Sequence, residues 1–496
     1  MDLLHELVYV VELKPSRSFS LLLPESSKLR SLYQLVRDDE YLTDEKAAAA
    51  LYQCAPSDKR YLMLKRNLTS KLSELILISE LGDPETTSVK FYLEQRLTVA
   101  EKLLLQNVYH NAEKIGKKVR KRAQREGLTE VHLRALQLLR RVYALKGDPR
   151  NFQIIADEFL TVQQQMKEEE RTLLFLQEIE SQIKYTVATL PQVALAITRH
   201  QQTHPLGEEV SKFARFQRYK LQIYEAHHQH NLLALDQPLQ NMRALIESHS
   251  NLQTPANELF WINYRIRHAL SLGRFASAEE FLCRARSLTS FQAFDRFEVE
   301  EQWYLFHMRK LQLPEAAEVI ESVLNCPQYD RLHELDQNLW YVRASYLYWT
   351  AKLIPPAVPI PCLDRRFKDL TLEELYKHVA GISRDKTGGN MHIMLIRGLI
   401  ALTHGEAPDH AFDVGNNLVV YHQRYIRDLP EERMSLFFRS IAKLLKRRQD
   451  PEKVIRLHEK LMEGLEASPY SYDLNEWIPF TSIWAALLET QLTGKT

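Results

Sequence analysis

The sequence predicts an all-α chain, built of consecutive antiparallel helix pairs behind an N-terminal helical cap. Three observations predict it. Glycine is scarce, 14 among 496 residues, less than half the usual share of ~7%. Doubly wound sheets and phosphate-cradling loops need glycine for positive φ and close backbone approach, so those classes are not expected. Apolar residues recur at three- and four-residue spacing in segment after segment. Proline and polar clusters, rather than glycine, separate the segments.

The segments follow in order. Residues 28–37, 44–53 and 58–79 read as three helices. Thr43 stands where its hydroxyl can cap the second, and Asp44 and Glu45 suit the unpaired N–H groups of its first turn. Ser57-Asp58 opens the third. A helix starting at Pro84 is expected to run through Leu103, Leu104 and Leu105 towards Gly127. Val131, Leu133, Leu136, Leu138, Leu139, Val142 and Tyr143 form an apolar stripe, closed by Gly147-Asp148-Pro149. Pro149, Pro191, Pro205, Pro238, Pro255, Pro314, Pro327, Pro408, Pro430 and Pro451 recur along the chain. Each can occupy the first turn of a helix, where a missing N–H is harmless. About eighteen helices and no strand are expected. Pro355, Pro356, Pro359 and Pro361 fall within seven residues, which no helix survives. The predicted organisation is therefore an N-terminal helical region over 1–127, helical repeats over 128–352, a proline-rich connector over 353–363 and a C-terminal helical region over 364–496.

Self-similarity sharpens this. Gly273 is followed by Phe275, Ala278, Leu282 and Ala285. In the next segment Leu313, Ala316, Ile320 and Val323 take the places of the last four, 38 residues on. The pattern resembles the second helix of a tetratricopeptide repeat, whose usual period is about 34 residues. The resemblance covers about 255–325, with weaker extension over 130–350 and 390–490. Arg265 and His307 stand where the family carries apolar or aromatic residues, so the first helices of these pairs depart from it. The resemblance implies a right-handed superhelix of stacked antiparallel helix pairs, a TPR-like α-solenoid, whose first helices line a surface for a protein or peptide partner. It makes Asn263 and Arg267, off the apolar stripe of their helix, and Tyr304 the expected partner-binding residues.

Chemistry is sparse by comparison. Lys+Arg 65 against Asp+Glu 64 leaves a formal charge of +1, too little for a global field. Cys54, Cys283, Cys326 and Cys362 lie at least 36 residues apart, so no zinc spacing exists and reduced thiols are expected. The opening residues carry acid where a signal peptide needs a cation. No uncharged stretch approaches the ~18–20 residues of a bilayer span, and a cytoplasmic protein without membrane attachment is expected. His227, His228 and His230 with Glu225 form one E-x-x-H pair, but a carboxylate-bridged metal site needs two. A solvated helix end is the expectation there. Lys386-Thr387 beside Gly388-Gly389 invites a phosphate-loop reading, yet that loop's glycines would fall at Ala380 and Asp385. No G-x-S-x-G motif occurs.

The expectation is accordingly a non-enzymatic interaction scaffold or adaptor, without cofactor or metal. A DNA-linked regulator is the alternative. Lys114, Lys117, Lys118, Arg120, Lys121, Arg122 and Arg125 place seven cations in twelve residues, a run able to neutralise phosphates, or simply the solvated face of a long helix. The three N-terminal helices resemble a helix-turn-helix core, with Lys59, Arg60, Lys65, Arg66 and Lys71 on the third. No wing can follow, because Leu81-Gly82-Asp83-Pro84 leads directly to another helix. A helical enzyme of unrecognised type is a further alternative.

Overall fold

The computed structural model describes residues 2–13, 19, 23–24, 26–38, 42–79, 89–185, 190–205, 207, 210–229, 231–289, 295–326, 328–356, 360, 389–403, 408–427, 432–447, 451–467 and 476–493. Among these residues there are 21 α-helices and no strand. They divide into two compact units, Met1–Met166 and Lys167–Thr496.

The first unit begins with α1 (Asp2–Leu13), α2 (Lys28–Asp38), α3 (Asp44–Tyr52) and α4 (Lys59–Ser79). These close around Leu4, Val8, Leu32, Tyr33, Leu64, Leu68 and Leu72. Thr43 caps α3 as its position suggests, its hydroxyl accepting from the Lys46 N–H at 3.4 Å. Asp44 ties α3 to α4 by accepting from Tyr61 Oη at 2.6 Å and Lys65 Nζ at 2.8 Å. The unit continues with α5 (Val89–Leu105), α6 (Tyr109–Glu126), α7 (Thr129–Lys146) and the first half of α8 (Pro149–Tyr185). The expected single helix through Leu105 to Gly127 is thus two. The chain turns at Asn107, whose φ of 61° is the left-handed conformation that asparagine tolerates. α5 and α6 then pack together through Leu97, Ala100, Ala112 and Val119.

That turn recurs. Asn107, Gly127, Gly147, Gly273 and Leu311 all lie at φ between 59° and 70°. The N–H of the next residue (Val108, Leu128, Asp148, Arg274 or Gln312) reaches back to the carbonyl of Leu103, Ala123, Tyr143, Ala269 or His307 at 2.9–3.0 Å. This bond satisfies one of the carbonyls orphaned at a helix C-terminus. The carbonyl of that same next residue accepts the first bond of the following helix, from Ala112, His132, Phe152, Ala278 or Ala316. A single residue therefore ends one helix and starts another. Leu311 alone of the five is neither glycine nor asparagine, and its side chain is 40% exposed. The left-handed region costs such a residue about 1–2 kcal/mol, against roughly 0.5–1 kcal/mol of chain entropy that glycine would add to the unfolded state. Leu311→Gly should therefore raise stability by about 0.5–1 kcal/mol, seen as a higher urea midpoint at unchanged slope. A lower midpoint would show that packing by the Leu311 side chain outweighs its backbone strain.

The second unit holds the rest of α8 and then α9 (Leu190–Thr203), α10 (Lys212–His228), α11 (Leu232–Ser248), α12 (Pro255–Ser271), α13 (Phe275–Leu288), α14 (Asp295–Arg309), α15 (Leu313–Leu324) and α16 (Glu334–Leu353). After these come α17 (Gly389–Thr403), α18 (Pro408–Tyr421), α19 (Glu432–Arg447), α20 (Pro451–Ala467) and α21 (Phe480–Thr493). From α9 onward each helix packs on its successor; α12 also meets α14, and α17 meets α19, while α21 reaches back to α16 and α17. Ala278, Leu282 and Ala285 of α13 and Leu313, Ala316, Ile320 and Val323 of α15 are all buried, so both members of the repeated pattern face a helix.

Pro149, Pro191, Pro255, Pro314, Pro408 and Pro451 sit in first turns, as expected. Pro238 does not: it lies in the second turn of α11, where it cannot bond the Ala234 carbonyl. Pro205 follows the end of α9, outside any helix. Pro327 and Pro430 lie outside the described residues. α16 ends at Leu353, and Pro355 and Pro356 follow in non-helical chain. Pro359 and residues 361–363 of the connector lie outside the described residues, as do Lys386, Thr387 and Gly388.

Candidate interaction surfaces

The expected partner-binding residues do not form an open face. Asn263 is 3% exposed and Tyr304 is fully buried. Tyr304 donates its hydroxyl to the Arg343 carbonyl at 3.0 Å. Arg267 is half-buried and pairs with Glu298 at 3.2 Å. For Tyr304 the cause is a distant segment. The Trp477 ring meets Tyr304 edge-on at 6.1 Å and Tyr346 at 5.3 Å, and stacks on His392 at 3.6 Å. The adjoining Glu476 carbonyl accepts from Arg309 Nε at 3.3 Å. The face of α14 and α16 that carries Tyr304 and Tyr346 is thus covered by the chain itself.

The two residues that interrupt the repeat pattern have partners suited to them. Arg265 pairs with Asp236 at 3.0 Å while lying against the Trp261 ring. His307 stacks on Trp303 at 5.3 Å and shares a 3.1 Å hydrogen bond with Gln312.

His227 and His228 are buried, which corrects the expectation of a solvated helix end. His228 stacks with Tyr224 at 6.4 Å and His227 meets Tyr264 edge-on at 5.3 Å. Glu225, the acid of the E-x-x-H pair, accepts from Gln201 Nε2 at 3.2 Å and from the Thr198 hydroxyl. Among the described residues no group of three or more His, Cys, Asp or Glu could hold a metal; His230 lies outside them.

His200, stacked on Phe175 at 3.8 Å, has its pKa pushed down to about 4, first by burial and then by the nearby cations His204, Arg218 and Arg171. Its folded pKa lies below the ordinary value of ~6.5, so the unfolded chain binds the proton more readily. The stabilising contribution is complete above pH ~6.5 and is lost as pH falls towards 4. His200→Phe keeps the stack and removes the titration. Urea midpoints taken between pH 7 and pH 5 should fall less steeply for this variant than for the parent chain, and equal slopes would refute it.

The cations of the first unit separate into two kinds. On α4, Lys65 is tied to Asp44 and Arg60 to Asp58 at 3.0 Å, while Lys59 and Arg66 are exposed beside Leu62 and Met63. The third helix of the suspected helix-turn-helix is therefore half open rather than wholly buried. On α6, Ala112, Gly116, Val119 and Ala123 form the buried stripe. Lys114, Lys118, Lys121 and Arg125 repeat the same spacing on an exposed face, as the 3.6-residue period requires. Arg125 pairs with Glu126 at 2.8 Å and Lys117 with Glu113 at 2.7 Å. Hydrogen bonds from Lys117 and then Lys146 hold the Glu113 pKa down at about 2. Arg120 is half-buried; its Nε donates to Glu158 at 3.0 Å, and Glu158 also bonds His132 at 2.9 Å. Arg120 thus joins α6 to α8 and is not available to a partner. Arg122 lies against the exposed Tyr92 ring at 5.5 Å. Among the described residues Lys114, Lys118, Lys121 and Arg122 have no carboxylate partner. Residues 89–150 hold 15 Lys and Arg against 6 Asp and Glu, a local positive field that the near-neutral whole conceals.

Fold and surfaces together define an all-helical protein of neighbour-packed helices with a cationic helix face in its first unit. No protein-family model, no curated protein and no solved structure matches the chain. Among the described residues no helix is long and apolar enough to cross a membrane.

Proposed function

We propose that the chain is a non-enzymatic interaction scaffold or adaptor of tetratricopeptide-like stacked helix pairs, and that it meets an acidic segment of a protein partner on the exposed face of α6. The carrying observation is the stripe Lys114, Lys118 and Lys121, three exposed ammonium groups on one helix face that pair with no acid among the described residues. Isolated surface charges contribute little affinity, but a row of them steers encounter and sets specificity. The repeat reading rests on α12/α13 and α14/α15, which share the same left-handed turn and the same buried positions 38 residues apart. With Asn263 and Tyr304 buried, contacts move from the inner side of these pairs to faces such as that of α6.

A DNA-linked regulator is the second reading, favoured by Tyr92. Its exposed ring lies between Arg122 and Arg96, whose Nε donates to Tyr92 Oη at 3.1 Å, and an aromatic among cations suits a nucleic-acid base. The pairing of Lys65 and Arg60 with acids weakens the helix-turn-helix part of that reading.

The variant K114E/K118E/K121E changes only exposed positions. Cross-linking in the native host should recover an acidic protein with the parent chain and lose it with the variant. Duplex DNA should not shift in a gel at about 50 mM salt. A shift that vanishes by about 200 mM salt, and in the variant, would instead favour the regulator. Undiminished capture by the variant would remove α6 as the contact surface.

A further inference from the structure

A cavity of about 430 Å³ opens beside α9 and α10 in the second unit. Arg215, Arg218, Tyr219 and Gln222 of α10 line it together with Gln201 of α9. The four α10 residues fall at i, i+3, i+4 and i+7, one helix face, so two guanidinium groups, a phenol and an amide converge on the same space.

Arg218 is the group that asks for an explanation. It is 7% exposed, and among the described residues no carboxylate pairs with it. Its Nη2 donates to the Gln201 carbonyl at 3.3 Å and the His204 carbonyl at 2.8 Å, at the C-terminal end of α9. Among the described residues no acceptor meets its Nε or Nη1, and neither nitrogen is sealed from solvent. Glu225, which accepts from Thr198 and Gln201, acts on Arg218 through its charge but makes no direct pair with it. Taking a cation out of water is costly, and burial lowers the Arg218 pKa, an effect the charge of Glu225 offsets only in part. Arg215 stands exposed one turn earlier and adds a second positive charge.

We propose that this cavity binds the oxyanion group, phosphate or carboxylate, of a small solute. Arg218 supplies the buried counter-charge, its guanidinium fork matching two oxygens of such a group. Arg215 closes over the anion from the mouth. Gln201, Gln222 and Tyr219 add neutral donors that fix its orientation. This site is separate from the α6 face and acts in the other unit.

Thermal unfolding of the full chain tests it, with inorganic phosphate, succinate and chloride titrated at matched ionic strength. Phosphate or succinate should raise the midpoint saturably and chloride should not; the stronger of the two names the solute class. Arg215→Gln, at an exposed position, should weaken the effect about tenfold or more. Arg218→Lys keeps the charge, loses the fork and should weaken it similarly. If Arg218→Lys does not fold, Arg215→Gln decides alone. No saturable shift beyond chloride, or equal shifts in Arg215→Gln and the parent chain, would overturn the site.

Discussion

Arg433→Met should destabilise the unit Lys167–Thr496 by about 3–5 kcal/mol, the usual effect of removing one partner from a buried ion pair. Arg433 and Glu476 are 5% and 2% exposed. Their contact is bidentate, Nε to Oε2 at 2.8 Å and Nη2 to Oε1 at 3.1 Å. Arg433 Nη1 also donates to the Leu465 carbonyl at 2.6 Å. Without the guanidinium, the Glu476 carboxylate keeps, among the described residues, the Phe480 N–H at 3.0 Å, inside the core. Methionine retains much of the side-chain volume, so the loss reports the charge rather than a cavity. Urea unfolding measures it. The double variant Arg433→Met/Glu476→Gln, which removes both charges, should be clearly more stable than Arg433→Met alone. A single-variant loss below about 1 kcal/mol would place the pair in the class of surface bridges.

Trp477→Ala should cost about 3–5 kcal/mol, typical of truncating a buried aromatic. Trp477 is 6% exposed. It stacks on His392 and touches the edges of Tyr304 and Tyr346, and the Arg343 guanidinium lies against its ring at 5.8 Å. Truncation leaves a cavity bordered by those rings. Trp477→Phe, which keeps an aromatic ring, should be the milder change. Because Arg433 and Trp477 hold the same short segment, their losses should add to less than their sum. Full additivity would mean that Glu476 and Trp477 are anchored independently.

Much of the fold is legible along the chain because its signals are local. Thr43, the first-turn prolines and the stripe from Val131 to Tyr143 each report a hydrogen bond or a face within a few residues. The signals that fail are those where a residue type does not declare its role. Asn107 and Leu311 make the same left-handed turn as Gly273, and only the glycine reads as punctuation. Helix α1 was not among the expected elements, although Leu4, Val8 and Val11, all buried, carry its spacing. Gly415 lies within α18, where an added Cβ would stand 3.0 Å from the Ala442 carbonyl oxygen. There glycine permits close approach of two helices rather than a turn.

The candidate sites divide the same way. The α6 stripe is legible because its buried and exposed rows alternate on one helix. Asn263 lies off the apolar stripe of its helix, a pattern that resolves one buried face, but α12 is covered on several. Arg218 gives no signal at all in a sequence rich in arginine.

Helical character and the start of most helices follow from neighbouring residues, since i→i−4 bonds, caps and apolar periodicity are local. Which faces stay open follows from the packed chain: Trp477 covers Tyr304, Glu158 engages Arg120, and Arg218 is buried beside a cavity. Burial and charge compensation depend on segments far apart in the chain, and no local pattern encodes them.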